Sequence, residues 1–78
     1  MPVSAYLLIQ TDVGKAADVA EEVRSIPGIV AADDVTGPYD VIVRAEAETL
    51  DLLGQMVVSR VQMVEGITRT TTCPVVNL

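Results

Sequence analysis

Apolar positions along this chain switch between two spacings, and the switches mark its elements. From Val3 to Thr11 the residues are strand formers, and Tyr6, Leu7, Leu8 and Ile9 are consecutive, the pattern of a strand buried on both faces. Asp12 and Gly14 close it. Ala16, Val19, Ala20, Val23 and Ile26 then recur at helical spacing, with Asp18, Glu21, Glu22 and Arg24 elsewhere on the cylinder, which predicts a helix over 15–25 with one buried face. Pro27-Gly28 ends it.

Ile29 to Thr36 predicts a second strand, at an edge or bulge because Asp33 and Asp34 sit side by side in it. Gly37-Pro38 predicts a tight reversal into a third strand, Tyr39 to Ala45, whose Val41, Ile42 and Val43 are again apolar in succession. A second helix follows from about Glu48 to Met63, with Thr49 as its cap. Leu50, Leu53, Val57, Val61 and Val64 form one stripe on it, and Leu52, Met56 and Met63 lie on a neighbouring face, suited equally to core packing and to contacts between molecules. After Glu65-Gly66, Ile67 to Val76 is the last strand, and Pro74 requires an edge or bulge there.

The order is β-α-β-β-α-β, and it repeats internally: Ile26-Pro27-Gly28-Ile29 in the first half is answered by Val64-Glu65-Gly66-Ile67 in the second. Two such units joined by a hairpin define an α+β, ferredoxin-like βαββαβ fold as one domain over 1–78. Right-handed crossovers place both helices on one face of a four-stranded antiparallel sheet, with the first and third strands central. Leu7, Leu8, Ile9, Val41, Ile42 and Val43 then supply apolar side chains to both faces, and the uncovered face is expected to pack on a second copy as a two-fold dimer.

Composition narrows the chemistry. At 78 residues the domain is small enough that a partner subunit is a serious expectation. The net charge is -6 and the basic residues are scattered, which argues against direct binding to nucleic acid or to an anionic membrane. With no histidine and Cys73 the only cysteine, intrachain disulfides, histidine triads and ordinary zinc sites are excluded, and no cofactor is implied. A lone cysteine in a strand reads as a small buried hydrophobe. The only asparagine, Asn77, lies next to the C-terminus, so the loop Arg-plus-Asn chemistry of acylphosphatases is missing. Neighbouring acids such as Glu21-Glu22 diverge and make no acid/base dyad. No apolar run approaches transmembrane length, and no signal-peptide pattern opens the chain; cytoplasm is the expected location.

The stretch Val35-Thr36-Gly37-Pro38-Tyr39-Asp40-Val41 carries binding chemistry as well as a turn. A glycine admits a ligand to the main chain, a tyrosine supplies a wall, and a carboxylate offers a counter-charge for an ammonium group. Together with Gly66-Ile67-Thr68-Arg69-Thr70-Thr71-Thr72 and Ile26-Pro27-Gly28-Ile29, this stretch resembles the effector-binding domain of the Lrp/AsnC family, from about Ser4 to Val76. The resemblance implies sheet-to-sheet dimers, rings that are often octamers, and amino acids bound where dimers meet. It implies an effector site at Thr36, Gly37, Pro38, Tyr39 and Asp40, with Thr70 and Thr72 on the last strand.

Typical members begin with a helix-turn-helix domain, whereas this chain starts almost at the first strand, so it is expected to be a stand-alone effector domain that does not hold DNA itself. The expected function is a non-catalytic amino-acid sensor that self-associates, or co-assembles with full-length Lrp/AsnC regulators. A purely structural partner without ligand, an enzyme of the dimeric α+β barrel type, and a relative of the ACT domains are the competing readings; the Gly-Pro-Tyr-Asp turn weighs against the last.

Overall fold

The computed structural model describes residues 2–76, so Asn77 lies outside the described residues. Its elements are β1 (Val3–Thr11), α1 (Ala16–Arg24), β2 (Ile29–Asp34), β3 (Val41–Ala47), α2 (Leu50–Met56), a π-helical continuation of α2 (Val57–Val61), and β4 (Ile67–Pro74). The strands form one sheet in the order β2-β3-β1-β4, every neighbouring pair antiparallel. This is the βαββαβ arrangement, with β1 and β3 inside and the strands bearing Asp33, Asp34 and Pro74 at the edges.

The internal repeat is built into the hydrogen bonding. Gly28 and Gly66 each turn a helix into an edge strand at positive φ, +97° and +101°. Each offers its carbonyl to the far end of a strand from the other half: the Glu46 N–H donates to Gly28 O and the Asp12 N–H to Gly66 O, both at 2.8 Å. A Cβ on Gly28 would stand 3.1 Å from the Glu46 carbonyl, and one on Gly66 would stand 3.2 Å from Lys15 Cβ and Val19 Cγ2. These turns therefore need glycine for both conformation and space.

The core is aliphatic and lies between helices and sheet. Ala5, Leu7 and Ile9 from β1 and Val41, Val43 and Ala45 from β3 meet Val19, Ala20 and Val23 of α1 and Leu53, Val57 and Val61 of the second helix, all essentially inaccessible to water. Thr49 caps α2 as expected, its Oγ1 accepting from the Leu52 N–H at 3.1 Å. The helix then widens to π geometry over Val57–Val61, with both Val57 and Val61 buried. Leu50, placed in the buried stripe by its spacing, is instead 56% exposed at the first turn.

Two expectations about the sheet are corrected. Within one chain the helices cover only the side holding Leu7 and Val43, so Tyr6 is 41% and Ile42 37% exposed on the face expected to meet a second copy. The uncovered face is less greasy than a broad aliphatic patch. Leu8 and Ile42 share it with Ser4, Tyr6, Arg44 and Glu46, and Arg44 lies over the Tyr6 ring at 5.3 Å while Nη1 donates to Tyr6 Oη at 2.7 Å. Cys73 is exposed rather than buried, since it sits opposite Tyr6 on edge strand β4.

Among the described residues, no helix is long and apolar enough to cross a membrane. The glycine geometry gives a prediction with two signs. Gly28→Ala should lower unfolding stability by about 1–3 kcal/mol through backbone strain and the carbonyl clash. Gly54→Ala, a helical position with nothing within 4 Å of an added Cβ, should raise it by about 1 kcal/mol. Urea denaturation at fixed protein concentration checks both.

Candidate functional site

The link between β2 and β3 is longer than a tight hairpin. β2 stops at Asp34 and β3 starts at Val41, so residues 35–40 form a loop, neither Thr36 nor Tyr39 belongs to a strand, and the third strand runs on to Ala47. A side chain is the reason. Beyond the Ile9–Val41 pair, the next β1 amide facing β3 is that of Thr11, and it donates to Asp40 Oδ2 at 2.8 Å instead of to a backbone carbonyl. Asp40 thus ends the β1–β3 ladder with its carboxylate.

Three further bonds hold the loop. Its ends are closed by the Val35 N–H on Asp40 O and tied to β1 by the Asp40 N–H on Ile9 O, both 2.9 Å. Gln10 Nε2 donates to Pro38 O at 3.2 Å. Gln10 belongs to the uncovered face, since it alternates with Leu7 and Ile9, so the Pro38 carbonyl is drawn to the rim of that face. Gly37 stands at φ +145° with open space where a Cβ would be. Thr36, Gly37 and Pro38 are exposed, while Tyr39 and Asp40 are half-buried.

The N–H groups of Thr36, Gly37 and Tyr39 donate to no acceptor among the described residues. Asp40 Oδ1 is likewise unbonded within the described chain. The loop therefore presents main-chain donors, suited to a carboxylate, beside one carboxylate oxygen, suited to an ammonium group.

Thr70 and Thr72 do not join this group within one chain. They pair with Ile9 and Leu7, whose side chains point to the helices, so both lie on the covered side of β4 and away from the Gln10–Pro38 rim. Thr70 Oγ1 is buried without a partner, in a recess of about 290 Å³ that it shares with Gln62, Ile67, Thr68 and Arg69. A separate shallow recess, between the start of α1 and the end of β2, is bounded by Ala16, Asp34, Val35 and Thr36. Sequence reasoning missed Gln10 and Thr11, whose part in the site depends on β1 lying beside the loop. A Gln-Thr pair ending a strand gives no signal of this by itself.

Among the described residues, no cluster of three or more His, Cys, Asp or Glu side chains is placed to hold a metal ion. The fold and this loop are those of an α+β sheet domain with a hydrogen-bonded loop at one end of the sheet. The chain belongs to the Lrp/AsnC ligand binding domain family, whose model matches residues 4–77.

Similar proteins agree with this. An uncharacterised HTH-type transcriptional regulator of Pyrococcus furiosus is 26% identical over 72 residues, covering 88% of this chain and 48% of that protein. The chain thus spans about half the length of the curated relatives it matches. The crystal structure of a hypothetical protein from Pyrococcus horikoshii is 32% identical, with TM-score 0.89, covering 97% of this chain and 92% of that one. At the level of fold alone, a transcriptional regulator of Neisseria meningitidis solved as a complex with L-Met has TM-score 0.83 at 17% identity, over 96% of this chain and 50% of that one.

The Asp40–Thr11 bond gives a testable prediction. Asp40→Ala should leave a half-buried amide without an acceptor and lower stability by about 1–3 kcal/mol, whereas Asp40→Asn, whose Oδ1 still accepts, should cost less than half as much. Hydrogen exchange at the Thr11 amide should accelerate in the alanine variant and stay near wild type in the asparagine variant.

Proposed function

We propose that this domain is a non-catalytic sensor of a small amino acid, acting in transcription regulation and self-associating through the uncovered face of its sheet. The observation that carries the reading is the 35–40 loop: unpartnered main-chain donors lie beside a carboxylate already oriented by Thr11. A free amino acid bears both charges on one carbon, and such a site meets both at once. Membership of a ligand-binding-domain family of regulators supports this. So does the fold shared with a regulator that is described in complex with L-Met.

Thr36, Gly37, Pro38, Tyr39 and Asp40 form the core of the proposed site. Thr70 and Thr72 face the other side of the sheet, so they contribute only if a neighbouring copy brings its own β4 to the loop. An assembly above the dimer, of which an octamer is one closed form, would bring such a β4 to the loop. With net charge -6, the domain is read as influencing DNA through full-length regulators with which it assembles, in the cytoplasm, rather than by binding DNA itself.

Two measurements test this. Calorimetric titration with each of the twenty amino acids should give saturable heat with at least one, and Asp40→Asn, which keeps the Thr11 bond but removes the charge, should weaken it at least tenfold. Silence from all twenty would reduce the domain to an assembly role. Sedimentation at micromolar concentration should show a dimer or a multiple of one, and Ile42→Glu should dissociate it to monomers; a monomeric wild type defeats the proposed pairing.

A further inference from the structure

We infer that Arg69 is the group that recognises the ligand's carboxylate, so that the amino acid is held across the end of β1 between Asp40 on one flank and Arg69 on the other. This rests on the amino-acid-sensing reading and adds a residue and an orientation to it.

Register places the pieces. Arg69 of β4 is directly opposite Gln10 of β1, so the two side chains rise from the same face of the sheet. Gln10 is the residue whose Nε2 binds the Pro38 carbonyl. Asp40 abuts the same segment from the β3 side, its N–H on Ile9 O and its Oδ2 on the Thr11 N–H. A carboxylate, an amide and a guanidinium therefore follow one another across three adjacent strands.

Charge points the same way. Asp12, Asp33, Asp34 and Asp40 stand at strand ends at this end of the sheet, and an unaccompanied ligand carboxylate would be repelled there. Arg69 is exposed and forms no ion pair with any carboxylate among the described residues, while the one ion pair found there belongs to Arg44 and Glu46. Its guanidinium is thus uncommitted, and its planar fork matches a carboxylate in two-point geometry. Main-chain N–H groups of the loop contribute neutral bonds, roughly half as strong as the charge-assisted ones.

The test compares each of the twenty L-amino acids with its α-carboxamide, which keeps the ammonium and side chain but loses the carboxylate charge. Titration of wild type should show at least one acid binding tenfold or more tightly than its amide. In Arg69→Gln, acid and amide should bind alike, within about twofold; Arg69→Lys should restore part of the preference. If Arg69→Gln retains the tenfold preference, or weakens acid and amide equally, Arg69 is not the carboxylate anchor although sensing itself survives. If no acid binds wild type, sensing fails and the assignment fails with it. Arg69 is exposed on an edge strand, so near-UV circular dichroism of the variants should match wild type and exclude misfolding as the cause.

Discussion

The antiparallel pairing of β1 with β3 is the constraint on which the rest depends. It sets Leu7 against Val43 and Ile9 against Val41 on one side, and Leu8 against Ile42 on the other. The first set makes the floor on which both helices pack; the second remains on the uncovered face. A slip of one residue would exchange the two sets, exposing the core and burying Arg44 and Glu46. At one end the register is continued by Asp40 on the Thr11 amide, while on its other edge β3 is tied to the entry of β2 by the Glu46 N–H on Gly28 O. The same pairing that forms the core therefore also positions the loop.

The uncovered face sets different terms for association than a plain hydrophobic patch. Tyr6 and Arg44 are stacked and hydrogen-bonded, and Glu46 Oε2 lies 3.9 Å from Arg44 Nε. A cation–π contact of this exposed kind contributes about 0.5–1 kcal/mol. Burying it against another molecule removes water from a guanidinium, which is favourable only where the partner leaves the existing bonds intact or replaces them. In the proposed pairing Leu8 and Ile42 would supply the drive, and the Arg44 cluster would restrict which surface is acceptable. A second copy approaching by two-fold symmetry presents the same polar groups and can be complementary to them.

Much of the fold was legible because its signals are local. Helical periodicity marked the buried faces at Val19, Val23, Leu53, Val57 and Val61, and the two proline- or glycine-bearing turns marked the repeat. The errors fall where a non-local contact outvotes a local one. Val35 to Asp40 has strand propensity at both ends, yet a carboxylate on Thr11 ends the ladder early and opens the loop. Consecutive apolar residues in β1 and β3 conceal which of them meets a helix, so Tyr6 and Ile42 could not be told from Leu7 and Val43 by pattern. Cys73 followed the general tendency of cysteine, and its position on an edge strand overrode it. The loop itself was legible from turn chemistry, but Gln10 became part of the site only through the bond it makes to Pro38.

That bond also bears on how a ligand could change the domain. A loop fixed only at its ends would order on binding, and the entropy lost would offset part of the affinity. Here the loop is tied to β1 by backbone and side chain at Ile9, Gln10 and Thr11, so it is largely arranged before any ligand arrives. Preorganisation of this kind favours recognition of a small rigid molecule. It also means that a ligand has little loop closure with which to signal. The remaining route runs along β1 itself, where Leu8 on the uncovered face is two residues from Gln10 and shares its side of the strand. A ligand pressing on Gln10 would act on the surface proposed to meet a second copy, and occupancy would be reported as a change in assembly rather than as a change in the shape of the single domain.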